Sequence, residues 1–219
     1  MIKLVSLDRD GTINEDKNYF LGSEPYWRNQ VKILEGVFEG IKKLNSLPET
    51  EVVICTNQTG IALKGPRFEG LTEERVNEVN KYIIDILAEK GANIRECYVC
   101  PFIDFKYLNK VREKGWDYHT EFLRDNDRNS KPNIGMLEKC AESLSCYLSE
   151  VEVYSIGDRY SDILFGINGG GKGILVISEK TRELGDEYKV RVLQNKYPNR
   201  VFIAENFLDA TKYISNGKS

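Results

Sequence analysis

Residues 2–12 read IKLVSLDRDGT, and the rest of the chain is best interpreted outward from this stretch. Its first six residues are mostly apolar and flanked by charge, which predicts a short buried strand over residues 2–7. Two carboxylates, Asp8 and Asp10, follow that strand at once. Charged residues directly after a buried strand are typical of a sheet whose strand ends carry a functional site.

Strands and helices are predicted to alternate along the remaining chain. One helix is predicted to begin near Thr72, where Glu73 and Glu74 favour the positive end of its dipole, and to end at Gly91. Such alternation indicates an α/β protein with a central parallel sheet covered by helices on both faces. The later strands are predicted at residues 51–55, 97–100, 151–156, 174–177 and 201–204. Further helices are predicted over 36–47, from Pro132 to 144, and at the C-terminus.

Polar motifs stand at four of these elements. DRDGT (residues 8–12) follows the first strand, and TNQ (56–58) follows the second. KP (131–132) opens the helix before the fourth strand, and GDR (157–159) follows that strand. Because carboxyl ends of parallel strands meet at one edge of a sheet, these motifs are expected to lie together. They supply the carboxylates, hydroxyl and ammonium that phosphoryl transfer through an aspartyl-phosphate needs.

Phosphate ester hydrolysis demands strong charge stabilisation, because the uncatalysed reaction is very slow. We expect Asp8 to be the nucleophile, Lys131 to neutralise the phosphoryl oxygens, and Thr56 to donate a hydrogen bond. Asp10, close to another carboxylate, is expected to stay a proton donor near neutral pH and to act as general acid and base. Mg²⁺ prefers oxygen ligands, and Asp8, Asp158 and Asp10 (through its backbone carbonyl) are the expected metal residues.

In this order the motifs resemble the signature of haloacid dehalogenase (HAD) phosphatases, over residues 8 to 162. The resemblance implies a three-layer Rossmann-like HAD fold, Mg²⁺ as cofactor and an aspartyl-phosphate at Asp8. By length the chain is expected to be one domain over residues 1–219. For the further Asp162, positioning Lys131, capping a turn and direct catalysis all stay open.

DRDGTIN, TNQTGIA and KPNIGM narrow the resemblance to the group of histidinol-phosphate phosphatases and heptose 1,7-bisphosphate phosphatases. This implies a short flap over residues 14–30, no large cap domain, and a heptose-bisphosphate-like or histidinol-phosphate-like substrate. It also implies that Asp16 to Tyr19 and Arg159 approach the substrate. The substrate-binding candidates are Arg9, Gly11, Thr12, Asp16, Tyr19, Asn57, Gln58, Ser130 and Arg159.

Many members of this group carry a zinc loop, written Cys-Pro-His and then Cys-x-Cys-Arg-Lys-Pro, from which this chain departs. Cys100 is retained, whereas the other three zinc positions hold Phe102, Asp127 and Asn129. A structural zinc needs four nitrogen or sulfur ligands, so no zinc is expected here. Ser130 replaces the arginine that contributes to substrate recognition in relatives, which leaves the sugar open. The segment 104–130 is predicted as a long loop that forms a wall of the site.

Composition favours a protein of the reducing cytoplasm. The 31 basic and 34 acidic residues give a net charge of −3 without a basic stripe, so nucleic acid is not an expected partner. No apolar run approaches the ~20 residues of a membrane span. The apolar residues 2–7 are too few for the hydrophobic region of a signal peptide. Five cysteines, an odd number, do not suggest a disulfide framework. We expect a cytoplasmic monomer that binds a small phosphate ester, with a dimer as the open alternative.

Other functions compete with this interpretation. A nucleic-acid 3′-phosphatase is disfavoured by the acidic balance, and a catalytically silent phosphate-binding scaffold would be expected to lose Asp8, Asp10 or Lys131. Gly166 to Lys172 resembles the start of a P-loop, but Gly173 stands where Ser or Thr should hold Mg²⁺.

Overall fold

The computed structural model describes residues 1–17 and 20–215 of the chain. A six-stranded sheet forms its centre, and every neighbouring pair of its strands runs parallel. The strands are β1 Lys3–Leu7, β2 Thr50–Asn57, β3 Leu63–Lys64, β4 Glu96–Cys100, β5 Asp117–Tyr118, β6 Glu152–Gly157, β7 Lys172–Val176 and β8 Val201–Ala204. The order in the central sheet is β4-β2-β1-β6-β7-β8, while β3 and β5 form a separate antiparallel pair.

Helices cover both faces of the central sheet, as the alternating pattern predicts. They are α1 Val37–Asn45, α2 Glu73–Glu89, α3 Phe105–Glu113, α4 Gly135–Ser143, α5 Tyr160–Asn168, α6 Glu179–Glu183, α7 Asp186–Lys196 and α8 Phe207–Ser215. Successive side chains of a strand point to opposite faces. Val5 of β1 therefore packs in the cluster with α1, α2 and α8, whereas Leu4 packs in the cluster with α4 and α5. The three-layer α/β prediction is confirmed.

The predicted helix boundaries hold at α2 and shift at α4. Thr72 caps α2, its hydroxyl accepting a hydrogen bond from the Arg75 amide at 3.1 Å. The predicted start of α4 at Pro132 is wrong by three residues. The Asn133 amide bonds back to the Ser130 carbonyl at 2.9 Å in a turn, and the helix begins only at Gly135.

The strand order brings the expected motifs to one place. Strand β1 lies between β2 and β6, and Leu7 is in register with Ile54 on one side and Ile156 on the other. The chain runs from β1 outward to β2 and β4, and later from β6 outward to β7 and β8. The boundary between β1 and β6 is thus the point where strand order reverses, which is where ligands bind in such sheets.

The prediction of a long loop over residues 104–130 is wrong, because this segment contains α3 and β5. Asp104 caps α3 by accepting a hydrogen bond from the Tyr107 amide at 2.7 Å, and the helix buries Leu108 and Val111. These residues pack with residues 59–71 into a separate apolar cluster, which we call the side lobe (residues 59–71 and 103–123).

The described part of the predicted flap, residues 14–17 and 20–30, packs against both α2 and the side lobe. Trp27 is fully buried and meets the ring of Tyr82 on α2 edge to face, at 5.4 Å between ring centres. Phe20 packs edge to face with Phe68 and Trp116 of the side lobe, at 4.9 and 5.9 Å. Within residues 1–17 and 20–215, no helix is both long and apolar enough to cross a bilayer.

Candidate active site

Three charged side chains from three elements meet at the end of β1. The Lys131 ammonium lies 2.7 Å from Asp8 Oδ1 and 2.6 Å from Asp162 Oδ1. All three side chains are almost completely buried, so little water screens their charges. Asp162 reaches this position because Gly157 has no side chain, since a Cβ there would lie 2.3 Å from Asp162 Cβ. Asp162 also caps α5 by accepting a hydrogen bond from the Arg159 amide at 3.0 Å.

Asn57 fixes the backbone of Lys131. Its Oδ1 accepts a hydrogen bond from the Lys131 amide at 3.1 Å, and its Nδ2 donates to the Lys131 carbonyl at 3.3 Å. A side chain at the end of β2 thereby holds the residue that precedes α4. Asn57, predicted to bind substrate, therefore has both ends of its amide occupied by the protein, and its observed contacts position the lysine.

Asp158 lies beside Asp8 and keeps one oxygen free. Its Oδ2 accepts a hydrogen bond from the Ser178 hydroxyl at 2.7 Å, and its backbone carbonyl accepts one from Thr181 at 2.6 Å. Its Oδ1 is buried and has no hydrogen-bond partner within the described part of the chain. The predicted substrate residue Gly11 lies against this carboxylate with a φ of +85°, and a Cβ there would lie 2.3 Å from Asp158 Oδ2. Only glycine fits at this position.

Asp8, Asp158 and Asp162 form a carboxylate group of the kind that holds a divalent cation. One oxygen from each lies within 4.8 Å of the others, and among residues 1–17 and 20–215 no other such group of acidic, histidine or cysteine side chains is found. The buried free oxygen of Asp158 needs a cation or a donor, because an unpaired buried carboxylate is costly. The donor set therefore fits a hard cation such as Mg²⁺. Asp8 and Asp162 both pair with Lys131, whereas Asp158 keeps an oxygen that no described donor reaches.

Burial dominates the electrostatics of this group. It raises the pKa of Asp8 to about 7, with Lys131 opposing the shift and Asp162 adding to it. Burial and the neighbouring Asp8 raise the pKa of Asp158 to about 8. Burial alone would lower the pKa of Lys131, but the attraction of Asp162 and Asp8 outweighs it and the pKa is raised. Lys131 is thus charged throughout the physiological range.

The electrostatics contradict the expectation that Asp10 is the carboxyl that stays protonated. Its Oδ2 lies 2.6 Å from Arg9 Nη2 and accepts a hydrogen bond from Gln58 Nε2 at 2.9 Å. Burial would raise the pKa of Asp10, but Arg9 and Gln58 lower it below its ordinary value. The Asp10 side chain is also absent from the carboxylate group around Asp8, because it is turned to Arg9.

Two predicted substrate residues are buried beneath the site. Arg9 is 1% exposed and donates to Asn80 Oδ1 at 2.7 Å and to Gln58 Oε1 at 2.8 Å, besides its pair with Asp10. Thr12 is 0% exposed. The Thr12 hydroxyl has no hydrogen-bond partner within the described part of the chain. Substrate binding by Arg9 and Thr12 stays a prediction.

Of the remaining candidates, Thr56 lies at the end of β2 and the others that the structure describes lie on segments outside the central sheet. Thr56 is buried at the end of β2, where its hydroxyl accepts a hydrogen bond from Gln58 Nε2 at 2.8 Å. Asp16 on the flap pairs with Lys180 at 2.5 Å. Arg159 Nε pairs with Asp186 at 2.9 Å. Ser130 is half-buried in the turn before Lys131, and Tyr19 lies outside the described residues.

The residues that stand at the zinc positions of relatives make other contacts in this chain. The Arg124 guanidinium lies 3.7 Å from the ring centre of Phe102. Asp127 accepts a hydrogen bond from the Asn129 amide at 2.8 Å, and Cys100 is buried in the core. A phenyl ring cannot ligate a metal. The expectation that no zinc binds here stays a prediction.

Three supporting residues were missed from the sequence. Ser178 and Thr181 hold Asp158, and Asn80 of α2 holds Arg9. Ser178 lies just beyond the end of β7, so the rule that function gathers at strand ends could have identified it. Asn80 has no such signal, since it lies within the buried stripe of a helix.

Two family models match the chain. The model described as polynucleotide kinase 3 phosphatase matches residues 3–165, which is well over half of the chain. The HAD-hydrolase-like model matches residues 129–210. The two matches together take in Asp8, Thr56, Lys131 and Asp158.

Two heptose-bisphosphate phosphatases are similar in sequence to this chain over most of their own length. The D-glycero-D-manno-heptose-1,7-bisphosphate 7-phosphatase of Chlorobaculum tepidum is 32% identical over 178 residues, 80% of this chain and 78% of the relative. The D-glycero-beta-D-manno-heptose-1,7-bisphosphate 7-phosphatase of Neisseria meningitidis is 26% identical over 213 residues, 97% of this chain and 95% of the relative.

Solved structures show the same fold. The D,D-heptose 1,7-bisphosphate phosphatase of B. bronchiseptica, in complex with magnesium and phosphate, superposes with a TM-score of 0.68 at 20% identity, covering 98% of this chain and 99% of the other. A putative HAD-like phosphatase from Mesorhizobium loti gives a TM-score of 0.63 at 25% identity, covering 81% and 74%. Family matches, relatives and fold agree: this chain is a phosphatase of the haloacid dehalogenase superfamily and belongs to the group of the heptose 1,7-bisphosphate phosphatases.

Proposed function

We propose that this phosphatase hydrolyses one phosphate ester of a sugar bisphosphate, with Mg²⁺ and through an aspartyl-phosphate on Asp8. The observation that carries the proposal is the buried contact between Asp8 and Lys131, 2.7 Å apart, beside a second carboxylate with a free oxygen. A carboxylate attacks an anionic phosphate only where cations offset the repulsion, and this site concentrates such charge at the strand end.

Asp8 is the proposed nucleophile because, among the described residues, a side-chain donor is found only at its Oδ1. Lys131 contacts Oδ1 and thereby orients the carboxylate. In the first step an oxygen of Asp8 forms a bond to phosphorus while the bond from phosphorus to the sugar oxygen breaks. Water then attacks the same phosphorus and releases inorganic phosphate, which restores the carboxylate. Lys131 stays close to the transferring oxygens in both steps, held by Asn57 and Asp162.

The carboxylates of Asp8 and Asp158, with the backbone carbonyl of Asp10, are the proposed Mg²⁺ ligands. When bound, Mg²⁺ would neutralise charge on the carboxylates and on the phosphoryl oxygens. Support comes from the fit of the donor set, with its buried free oxygen on Asp158. Further support is the magnesium and phosphate complex of the B. bronchiseptica enzyme, which shares the fold.

Asp10 remains the proposed general acid and base. In the substrate-free protein its low pKa keeps it ionised. An anionic phosphate bound beside it is a like charge, and a like charge raises the pKa of a carboxyl. The proton that the leaving sugar oxygen needs is then carried by Asp10 in the complex, and Asp10 takes a proton back from the attacking water. Arg9 and Gln58 fix the direction of this carboxylate.

The proposed substrate is a heptose 1,7-bisphosphate or a similar sugar bisphosphate. The named relatives act on heptose 1,7-bisphosphates and cover most of this chain. A nucleic-acid 3′-phosphatase is the second candidate, and the family model over residues 3–165 favours it. The slightly acidic composition, with 31 basic and 34 acidic residues, argues against a nucleic-acid substrate, because its phosphates are bound by basic side chains.

Release of inorganic phosphate from a panel of esters tests the proposal, in Mg²⁺ and in EDTA. The panel contains heptose and hexose bisphosphates, histidinol phosphate and a 3′-phosphorylated oligonucleotide. We expect Mg²⁺-dependent release, fastest with a sugar bisphosphate and abolished in Asp8→Asn. Fastest release from the oligonucleotide would establish the second candidate instead. No release from any ester by folded protein that binds Mg²⁺ would overturn both.

A further inference from the structure

Two hydroxyl groups at the start of α6 are directed to one aspartate at the end of β6. The Ser178 hydroxyl donates to Asp158 Oδ2 at 2.7 Å, and the Thr181 hydroxyl donates to the Asp158 backbone carbonyl at 2.6 Å. A hydroxyl carries one proton, so each of these side chains uses its only donor on Asp158. The side chain and the backbone of Asp158 are therefore held by the same short helix.

The two hydroxyl groups are themselves fixed by the backbone of α6. The Thr181 amide donates to Ser178 Oγ at 3.0 Å, and the Ser178 amide donates to Thr181 Oγ1 at 3.0 Å, which closes a reciprocal cap at the start of the helix. Thr181 is fully buried. Because the oxygens accept from the backbone while the protons point to Asp158, neither hydroxyl can rotate without losing a hydrogen bond.

The Asp158 carboxylate is also constrained by the turn after β1. Gly11 lies so close to it that a Cβ there would be 2.3 Å from Oδ2 and 2.9 Å from Oδ1. Oδ2 has Ser178 as its donor, whereas Oδ1 is buried and has no partner among the described residues. Of the two carboxylate oxygens, Oδ1 is therefore the one left for a cation.

Mg²⁺ and Ca²⁺ place different demands on such a carboxylate. Ca²⁺ takes more oxygen ligands in a flexible geometry and accepts both oxygens of one carboxylate, whereas Mg²⁺ requires a near-ideal octahedron. A carboxylate with one oxygen already bonded to a hydroxyl offers its other oxygen alone, which suits Mg²⁺. Resting on the Mg²⁺ site proposed above, we propose that Ser178 is a positioning residue that sets the affinity of Asp158 for Mg²⁺ and its preference for Mg²⁺ over Ca²⁺.

Calorimetric titration with Mg²⁺ alone and with Ca²⁺ alone, in the absence of substrate, tests the proposal. Ser178→Ala is expected to weaken Mg²⁺ binding about 10- to 100-fold, the effect of removing a residue that orients a metal ligand. Ca²⁺ binding should weaken less, because Oδ2 becomes available to it. Protons compete with both cations for the same carboxylates. The ratio of the two Kd values therefore reports how the carboxylate is oriented rather than how it titrates.

Three further variants separate this role from the capping of α6. Ser178→Thr keeps the hydroxyl and should bind Mg²⁺ nearly as tightly as the unchanged protein. Ser178→Gly places another residue suited to a helix start but lacks the hydroxyl, so it should resemble Ser178→Ala in the ratio even if the alanine variant folds poorly. Thr72→Ala is the matched control, because it removes the cap hydroxyl of α2, and it should leave both affinities unchanged.

The role of Ser178 and the proposed reaction can fail separately. If the protein binds Mg²⁺ but hydrolyses no ester, a selective loss of Mg²⁺ affinity in Ser178→Ala still supports the role of Ser178. Equal weakening of Mg²⁺ and Ca²⁺ binding, or unchanged affinity for both, would overturn it. So would a loss in Ser178→Thr as large as that in Ser178→Ala, or the absence of Mg²⁺ binding by the unchanged protein.

Discussion

The carboxylate of Asp162 and the ammonium of Lys131 lie 2.6 Å apart, which is as close as the contact between Lys131 and Asp8, the proposed nucleophile, at 2.7 Å. Lys131 is therefore shared between the proposed nucleophile and a second carboxylate. Because Asp162 also caps α5, the position of the lysine is fixed relative to the end of β6. Among the roles left open by the sequence, we propose for Asp162 that of a positioning residue, which these two contacts favour.

Asp162→Asn is expected to lower kcat about 10- to 100-fold with little change in KM, because Lys131 loses the partner that positions it. Mg²⁺-dependent phosphate release measures this. Asp209→Asn, which breaks an exposed pair with Lys212 at 2.6 Å, is the control and should leave kcat unaltered. A large rise in KM at constant kcat would instead indicate direct substrate contact by Asp162.

Asn57→Ala is expected to lower kcat about tenfold, since the backbone of Lys131 loses two hydrogen bonds. The free energy of unfolding should fall by about 1–3 kcal/mol, because the Lys131 amide and carbonyl are left without these partners. Urea unfolding and kinetics on p-nitrophenyl phosphate measure the two effects. Unchanged kcat in a destabilised variant would show that the contact stabilises the fold only.

Metal-free protein is expected to lose stability as pH rises from 5 to 8. The pKa values of Asp8 and Asp158 are about 7 and about 8 in the fold, against 3.8 for an ordinary aspartate. Between these values the folded state holds more protons than the unfolded state, so the free energy of unfolding decreases with pH. Each kcal/mol lost lowers Tm by about 2–4 °C.

Thermal melts in EDTA at pH 5, 6, 7 and 8 measure this slope. Added Mg²⁺ should raise Tm more at pH 8 than at pH 5, because at pH 5 protons compete for the ligands. Asp158→Asn should flatten the slope. A Tm independent of pH in EDTA would contradict the raised pKa values.

Arg9→Gln is expected to destabilise the protein by about 3–5 kcal/mol, because it leaves the partly buried Asp10 without its main counter-charge. Arg191→Gln breaks a surface pair with Glu187 at 2.7 Å and should cost at most about 1 kcal/mol. Urea unfolding compares the two. If Arg9→Gln is insoluble, Arg9→Lys preserves the charge and should retain most of the stability. Equal costs at the two sites would contradict the role assigned to Arg9.

The sequence predicted the central sheet and the meeting of Asp8, Lys131 and Asp158, because strand ends are set by runs of apolar residues that are visible in sequence. It did not predict that the side chains of Arg9 and Thr12 are buried, since a motif gives the order of residues after a strand but not their exposure. The signals for α3 were present in Asp104 as a cap and in Leu108 and Val111 at helical spacing. These local signals outweigh the resemblance to the relatives' zinc loop, which favours a loop at this place.

Both ends of the connection between β4 and α4 are hydrogen-bonded to residues at the end of β2. At its start, the Cys100 carbonyl accepts a hydrogen bond from the backbone amide of Gln58 at 2.7 Å. At its other end, the Lys131 amide donates a hydrogen bond to Asn57. A change in the length of the segment between residues 101 and 130 therefore costs little loop-closure entropy, provided that its apolar contacts with residues 59–71 are kept. Exchanging this segment between homologous enzymes should transfer substrate preference while the reacting groups stay in place, which makes it a natural unit of divergence and of engineering.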